Sequence, residues 1–186
     1  MKIMPPITNH IKDSHCSYCG AKFTEQENWP RKCFICWHES YKNPLPVVVT
    51  LLNVWDGKRL GTLIQQRNHD PKKGEWAFTG GYVDQNEAWQ EAIVREVREE
   101  LGLETDAGDY LLSDVLSNTD KSNLLVFSIC LKTFDMKDIK FVPNAEVTAI
   151  KIIHEPIELA FPTHTEMLAI RFAKDIKDGH PRIRKD

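Results

Sequence analysis

The sequence predicts a layered α/β domain placed behind a separate cysteine-rich segment, and three observations carry that expectation. Runs of β-branched residues interleave with stretches of helical period, the pattern of strands and helices packed in layers. Cys16, Cys19, Cys33 and Cys36 form two Cys-x-x-Cys pairs near the N-terminus, while Cys130 stands alone. The segment Tyr41-Lys-Asn-Pro-Leu-Pro46 then breaks regular structure and marks a boundary, so residues 1–43 and 44–186 read as two units.

Val47 to Val54 reads as a strand, and Asp56-Gly57 after it is a hairpin signal with Leu60 to Arg67 as the returning strand. A Gly/Pro/Asn-rich loop over Asn68 to Glu75 leads into a short aromatic strand at Trp76 to Phe78. From Glu87 to Leu101 the apolar positions Ala88, Ala92, Ile93, Val97 and Leu101 recur at helical spacing. Asn86 suits the N-cap and Gly102 the residue after the last turn. Leu124 to Leu131 and Glu146 to Ile153 are two more strand candidates, with Cys130 expected as a buried small hydrophobe. A final helix is expected from Pro162-Thr163 to Ile176.

Composition narrows the function classes. The 186 residues are 41% hydrophobic and 27% charged, enough apolar surface for a core. A net charge of -3 counts against nucleic acid as an electrostatic partner, but not against a small anion held locally. No run approaches the length of a membrane span, and the polar stretch Met1 to Ser14 does not resemble a secretory signal, so a cytoplasmic location without membrane partners is expected. In that setting clustered cysteines read as metal ligands before disulfides. The spacing C-x₂-C-x₁₃-C-x₂-C suits a structural Zn²⁺ held by Cys16, Cys19, Cys33 and Cys36. A disulfide, free thiols, or replacement of one ligand by His15 or His38 stand as alternatives.

The stretch with most chemistry is Arg95-Glu96-Val97-Arg98-Glu99-Glu100. Glu96, Glu99 and Glu100 stand at i, i+3 and i+4, on one face of the helix, where like charges repel unless a hard cation lies between them. Oxygen-only ligands suit Mg²⁺ or Mn²⁺. Acidic residues mixed with arginines are also ordinary on a solvated helix, so the triplet alone decides nothing. The wider constellation does. Gly81, five residues, Glu87, seven residues, then Arg95-Glu96-Val97-x-Glu99-Glu100-x-Gly102-Leu103 resembles the Nudix box at each defining position. Seven fixed residue types would coincide at random on the order of once in 10⁸ starting points.

The resemblance implies a Nudix α/β/α sandwich with a mixed β-sheet, carrying a small N-terminal Cys₄ zinc ribbon, and hydrolysis of a diphosphate linkage in a small nucleotide such as NADH, ADP-ribose or FAD. It implies that Glu96, Glu99, Glu100 and the Gly80 carbonyl hold the catalytic Mg²⁺ or Mn²⁺. Arg95 would orient loop and helix through Glu87, and Glu146 would serve as base or further ligand. Glu99, Glu100, Arg95 and Glu146 are thus the candidate catalytic set, and Arg67, Phe78, Tyr82 and Phe161 the candidate substrate contacts. The chain departs from the commonest pattern at Phe78-Thr79-Gly80-Gly81 and at Asn86-Glu87, and the signature of the NADH pyrophosphatases downstream of the box is missing, which leaves the substrate open. Ribbon-bearing relatives suggest a homodimer by analogy. A non-catalytic nucleotide sensor or nucleic-acid-binding regulator, or an enzyme on capped RNA ends, would share the same box.

Overall fold

The computed structural model describes residues 11–24 and 28–177, so the reading of Met1 to Ser14 falls mostly outside the described residues. The chain divides into two compact units at Asn43 and Pro44.

In the first unit two knuckles repeat one geometry. The Cys16 N–H donates to Ala21 O and the Gly20 N–H returns to Cys16 O; the Cys33 N–H donates to His38 O and the Trp37 N–H returns to Cys33 O. Both turns need a residue at positive φ, filled by Gly20 (73°) in the first and by Trp37 (64°) in the second. Strands β1 (Arg31–Lys32) and β2 (Glu39–Ser40) flank the second knuckle as an antiparallel pair. The four Sγ atoms all lie within 4.8 Å of one another, with Cys16–Cys36 and Cys19–Cys33 both at 3.6 Å. A disulfide would bring sulfurs to about 2.05 Å. A tetrahedral zinc with bonds of about 2.3 Å sets them about 3.8 Å apart, so the donor set fits that ion. Charge agrees with shape. The backbone N–H groups of Cys19 and Tyr18 hold the Cys16 thiol down to about 6. At Cys36 the His38 N–H lowers the pKa, but burial and neighbouring thiols outweigh it and push the group up to about 12. Four such thiols ionise together only around a cation. His15 and His38 stand outside this cluster, with the His15 ring against Ser14 Oγ and the His38 ring against Cys36 O.

The second unit is built on one six-stranded sheet. Its strands are β3 (Leu45–Trp55), β4 (Leu60–Arg67), β5 (Trp76–Ala77), β6 (Tyr110–Ser117), β7 (Asn123–Asp135) and β8 (Val147–Ile153). The order β5-β4-β3-β7-β6, with β8 also paired to β4, mixes one parallel pair, β3 with β7, with antiparallel neighbours. Along β3 the side chains alternate between two cores, as the pleat requires. Val48, Leu52 and Val54 face the helix α1 (Trp89–Leu101), meeting its Ala92, Ile93, Val97 and Leu101. Val49 and Leu51 face the other side, where α2 (Pro162–Lys177) contributes Met167, Leu168 and Phe172. The expected α/β/α sandwich with a mixed sheet is therefore what forms.

Two sequence expectations change. Helix α1 begins at Trp89 rather than Glu87, with Ala88 as N-cap, because Asn86 takes a left-handed φ of 66° in the preceding turn. Alanine has no side-chain acceptor, so the carboxylate of Glu91 reaches back to the Ala88 N–H at 2.7 Å, closing half of a capping box. Strand β6 has no counterpart among the strands that the sequence predicts. It lies on the sheet edge with most side chains exposed, so it carries no alternating signal.

The ribbon's geometry generates a prediction. Chelation of zinc, or Cys33→Ser, should make the 11–43 segment sensitive to protease while residues 44–177 stay protected. Limited proteolysis read by mass spectrometry checks this, and a chelated protein whose ribbon still resists cleavage would refute a structural metal.

Candidate active site

The site is assembled where α1 meets the loop joining β5 to it. The face of α1 that packs on the sheet carries not only Ala92, Ile93, Val97 and Leu101 but also Glu96 and Glu100, exposed by only 7% and 4%. Two carboxylates are thus drawn to the edge of an apolar core. Their oxygens and one from Glu146, in the loop before β8, all lie within 4.8 Å of one another.

The glycines permit that approach. A Cβ on Gly81 would collide with the Glu96 carboxylate, and a Cβ on Gly80 with the Val48 carbonyl oxygen. In exchange for its missing side chain, Gly80 offers its N–H to Glu100 Oε2 at 3.0 Å. The segment is pinned to β3 by bonds from Val48 N to Gly81 O and from Thr50 N to Thr79 O.

Arg95 ties this loop to the helix. Its Nε and Nη2 donate to the two oxygens of Glu87 at 2.9 and 3.0 Å, and Nη2 also donates to Tyr82 O at 2.8 Å. Its Nη1 meets Glu96 Oε1 at 2.6 Å and Glu99 Oε2 at 3.4 Å. A planar five-donor guanidinium serves these partners at once; lysine could not. Glu87, hydrogen-bonded to Arg95, is held below the usual carboxylate range. Burial pushes Glu96 upward against the pull of Arg95, and Glu146 and Glu99 add to the rise. Glu100 is pushed up to about 8, chiefly by burial, although the Gly80 N–H and the Gln65 side chain favour its charge. A buried carboxylate with one backbone donor, crowded by two others, makes no direct ion pair among the described residues, and Arg67 reaches it only through the wider field. The donor set is all oxygen and so fits a hard divalent cation.

The cluster opens into a cleft of about 1090 Å³. Arg67 lies on its wall with its guanidinium 5.2 Å from the centre of the Phe161 ring. Tyr82 is exposed on the wall, and its hydroxyl accepts a bond from Asn123 Nδ2 at 3.3 Å. Phe78 is buried in the core beneath the cleft and stacks on His164. His164 is neutral, since burial drives its pKa down to about 3, and its Nδ1 accepts the Phe78 N–H. The structure therefore brings Glu96, Glu100 and Glu146 together and places Arg67, Tyr82, Phe161 and Glu99 on the cleft wall. Glu99, exposed and turned to Arg95, stands outside the trio. Gln65, buried and bonded to Thr79 Oγ1, is not legible in the sequence, because a lone glutamine in a strand has no spacing signal.

A model of the NUDIX domain matches residues 44–168 of the 186. The chain belongs to the Nudix family. This Nudix protein is 42% identical over 66 residues to the CTP pyrophosphohydrolase of Escherichia coli K12, an alignment covering 36% of this chain and 47% of that protein. It is 26% identical over 98 residues to the NAD-capped RNA hydrolase NudC of Haemophilus influenzae, covering 51% of this chain and 36% of that one. The chain thus spans less than half the length of these curated relatives, both of which are hydrolases by name. Among solved structures, a NUDIX hydrolase from Nitrosomonas europaea superposes with a TM-score of 0.64 at 21% identity, over 92% of this chain and 96% of the other. The NUDIX domain of Shewanella oneidensis NrtR, complexed with ADP ribose, gives 0.58 at 18% identity, over 74% and 90%. At these identities the likeness establishes the fold. Among the described residues no helix of this Nudix protein is long and apolar enough to cross a membrane.

The buried trio has a pH consequence. Because the folded pKa of Glu100 is raised to about 8 from an ordinary 4.5, its contribution to metal-free stability is complete below about 4.5 and is lost progressively as pH rises to about 8. A divalent cation favours the ionised form, so its binding releases a proton in that window. Thermal melts should show the metal-free Tm falling between about pH 4.5 and 8 while the gain from added Mg²⁺ grows. A gain from Mg²⁺ that is flat with pH would contradict this account of Glu100.

Proposed function

We propose that this Nudix protein is a divalent-metal-dependent hydrolase that cleaves the diphosphate linkage of a nucleoside diphosphate derivative, in the class of NADH, ADP-ribose and FAD. The observation that carries the reading is the convergence of Glu96, Glu100 and Glu146 within 4.8 Å at a cleft whose wall also presents Arg67 and Phe161. Those three carboxylates would hold Mg²⁺ or Mn²⁺, with Glu99 able to join them on leaving Arg95. When bound, such an ion neutralises diphosphate charge and acidifies a water ligand.

The remaining roles belong to the chain. Arg67 offers a forked guanidinium to phosphate oxygens, and the Phe161 ring beside it offers a flat face to a nucleobase. Tyr82 and the adjoining polar turn at Asn118 to Asn123 line the far side, where a second moiety would sit. Glu146, the exposed member of the trio, would accept a proton from water as its oxygen attacks phosphorus. The bridging P–O bond breaks, and the two products share the atoms of that water. Arg95 keeps loop and helix in register. Structural Zn²⁺ would remain in the ribbon, remote from this chemistry in role. The name of the Escherichia coli relative favours a second reading, a nucleoside triphosphate as substrate.

The test is hydrolysis of a panel of NADH, NAD, ADP-ribose, FAD, dinucleoside polyphosphates and nucleoside triphosphates with Mg²⁺, with Mn²⁺ and with excess chelator. Cleavage of a two-moiety diphosphate that requires the metal is expected, with Glu100→Gln reducing kcat on the order of a hundredfold or more. Preference for triphosphates would select the second reading. Unchanged turnover by Glu100→Gln would remove the metal-site assignment.

A further inference from the structure

Glu146 is the outlier of the trio, because it does not come from α1. Glu96 and Glu100 are fixed by their helix, whereas Glu146 belongs to an exposed loop whose position must be set by something else. The hydrogen bonds of Asn144 supply that constraint. Its Oδ1 accepts the backbone N–H groups of Glu146 and Val147 at 2.9 and 2.8 Å. Its Nδ2 donates to the carbonyl oxygens of Glu99 and Glu100, both at 3.2 Å.

Those carbonyls have a particular status. The last carbonyl groups of a helix have no partner within it, and α1 ends at Leu101. Gly102 N takes Arg98 O, and one amide from Asn144 covers the next two. The same side chain that orders the start of the Glu146 loop therefore completes the end of the glutamate helix. A second asparagine braces it: Asn68, just past β4, donates from Nδ2 to Asn144 O at 3.0 Å and from its backbone N–H to Glu146 O at 2.8 Å.

We propose that Asn144 is a positioning residue that sets the third carboxylate of the metal site, acting through Glu146 by tethering its loop to the C-terminal turn of α1. This rests on the reading of the trio as a metal site. The sequence offered no sign of it beyond an asparagine after a proline. Its chemistry suits the task, since a side-chain amide donates and accepts at once and so can join two backbones running in different directions. An aliphatic side chain at 144 would leave two loop N–H groups and two helix carbonyls seeking water, and the loop would lose its register against the helix. Groups that orient metal ligands in this way typically carry a tenfold to hundredfold share of affinity.

The experiment is a double-mutant cycle of Asn144→Ala and Glu146→Gln, read by Mn²⁺ affinity of the substrate-free protein and by the exchange protection of the Glu146 and Val147 amides in the metal-free state. Asn144→Ala should lower Mn²⁺ affinity by about tenfold and expose both amides. In the Glu146→Gln background it should cost little more, because the ligand it positions is already gone. Where a substrate is turned over, kcat should fall with KM nearly unchanged. Asn144→Ser, which keeps an acceptor for the loop but is too short to reach the helix carbonyls, serves if the alanine variant is poorly folded, and should lose affinity similarly. Losses that simply add across the cycle, or wild-type affinity in both variants, would overturn the positioning role. Failure of the unmutated protein to bind Mn²⁺ at all would overturn the metal-site reading beneath it.

Discussion

The cleft depends on Arg95. A helix that buries two glutamates along its core-facing side is unfavourable by itself, and the glycine loop before it must be held against that side. One guanidinium answers both problems. It neutralises part of the charge at Glu96 and Glu99, grips Glu87 through two bonds, and holds the Tyr82 carbonyl, so helix and loop are joined through one side chain. Hydrogen bonding to Glu87, and then the pull of Glu96, outweigh the opposing effect of burial and raise the pKa of Arg95 above an already high value. What it does not neutralise is Glu100. That carboxylate lies deeper, against Gly80 and Gln65, and its charge is left for something that enters from the cleft.

How much of this was visible in the sequence follows from which forces act locally. The helix, the hairpin at Asp56-Gly57 and the four cysteines declare themselves through short-range spacing, and the structure contains each of them. The resemblance carried by residues 81–103 gave the family, which the domain match at 44–168 establishes. Other features have no local signature. Glu146 was named from its place after the box, yet the asparagine that fixes its loop is 44 and 45 residues from the carbonyls it binds. Strand β6 is an exposed edge without alternation, and the positive φ of Asn86 belongs to a turn that looked like a cap. Glu99 illustrates the limit of a spacing argument: i, i+3 and i+4 share one helical face, but only two of the three positions fall on the buried side of it.

The two metal-fit sites differ in what the chain does before any ion arrives. In the ribbon, backbone N–H groups lower some thiols while crowding raises another, so the donors are unequal until a cation evens them. In the cleft, burial raises Glu96 and Glu100, and the protein's own donors only partly offset it. The first arrangement organises a small unit that has little core of its own. The second stores an unmet need for positive charge beside an open space.

Placing Glu96 and Glu100 on the same face as Ala92, Ile93, Val97 and Leu101 makes one surface of α1 serve both as core and as the acidic wall of the cleft. Apolar packing and charge then compete for the same face. The helix is locally frustrated in the absence of a ligand, since the sequence best for packing there would be apolar at 96 and 100. Selection for thermal resistance alone would drift toward such substitutions and yield a sturdier protein without the acidic cluster. The acidic face is in that sense an adaptive liability, retained only while something rewards it.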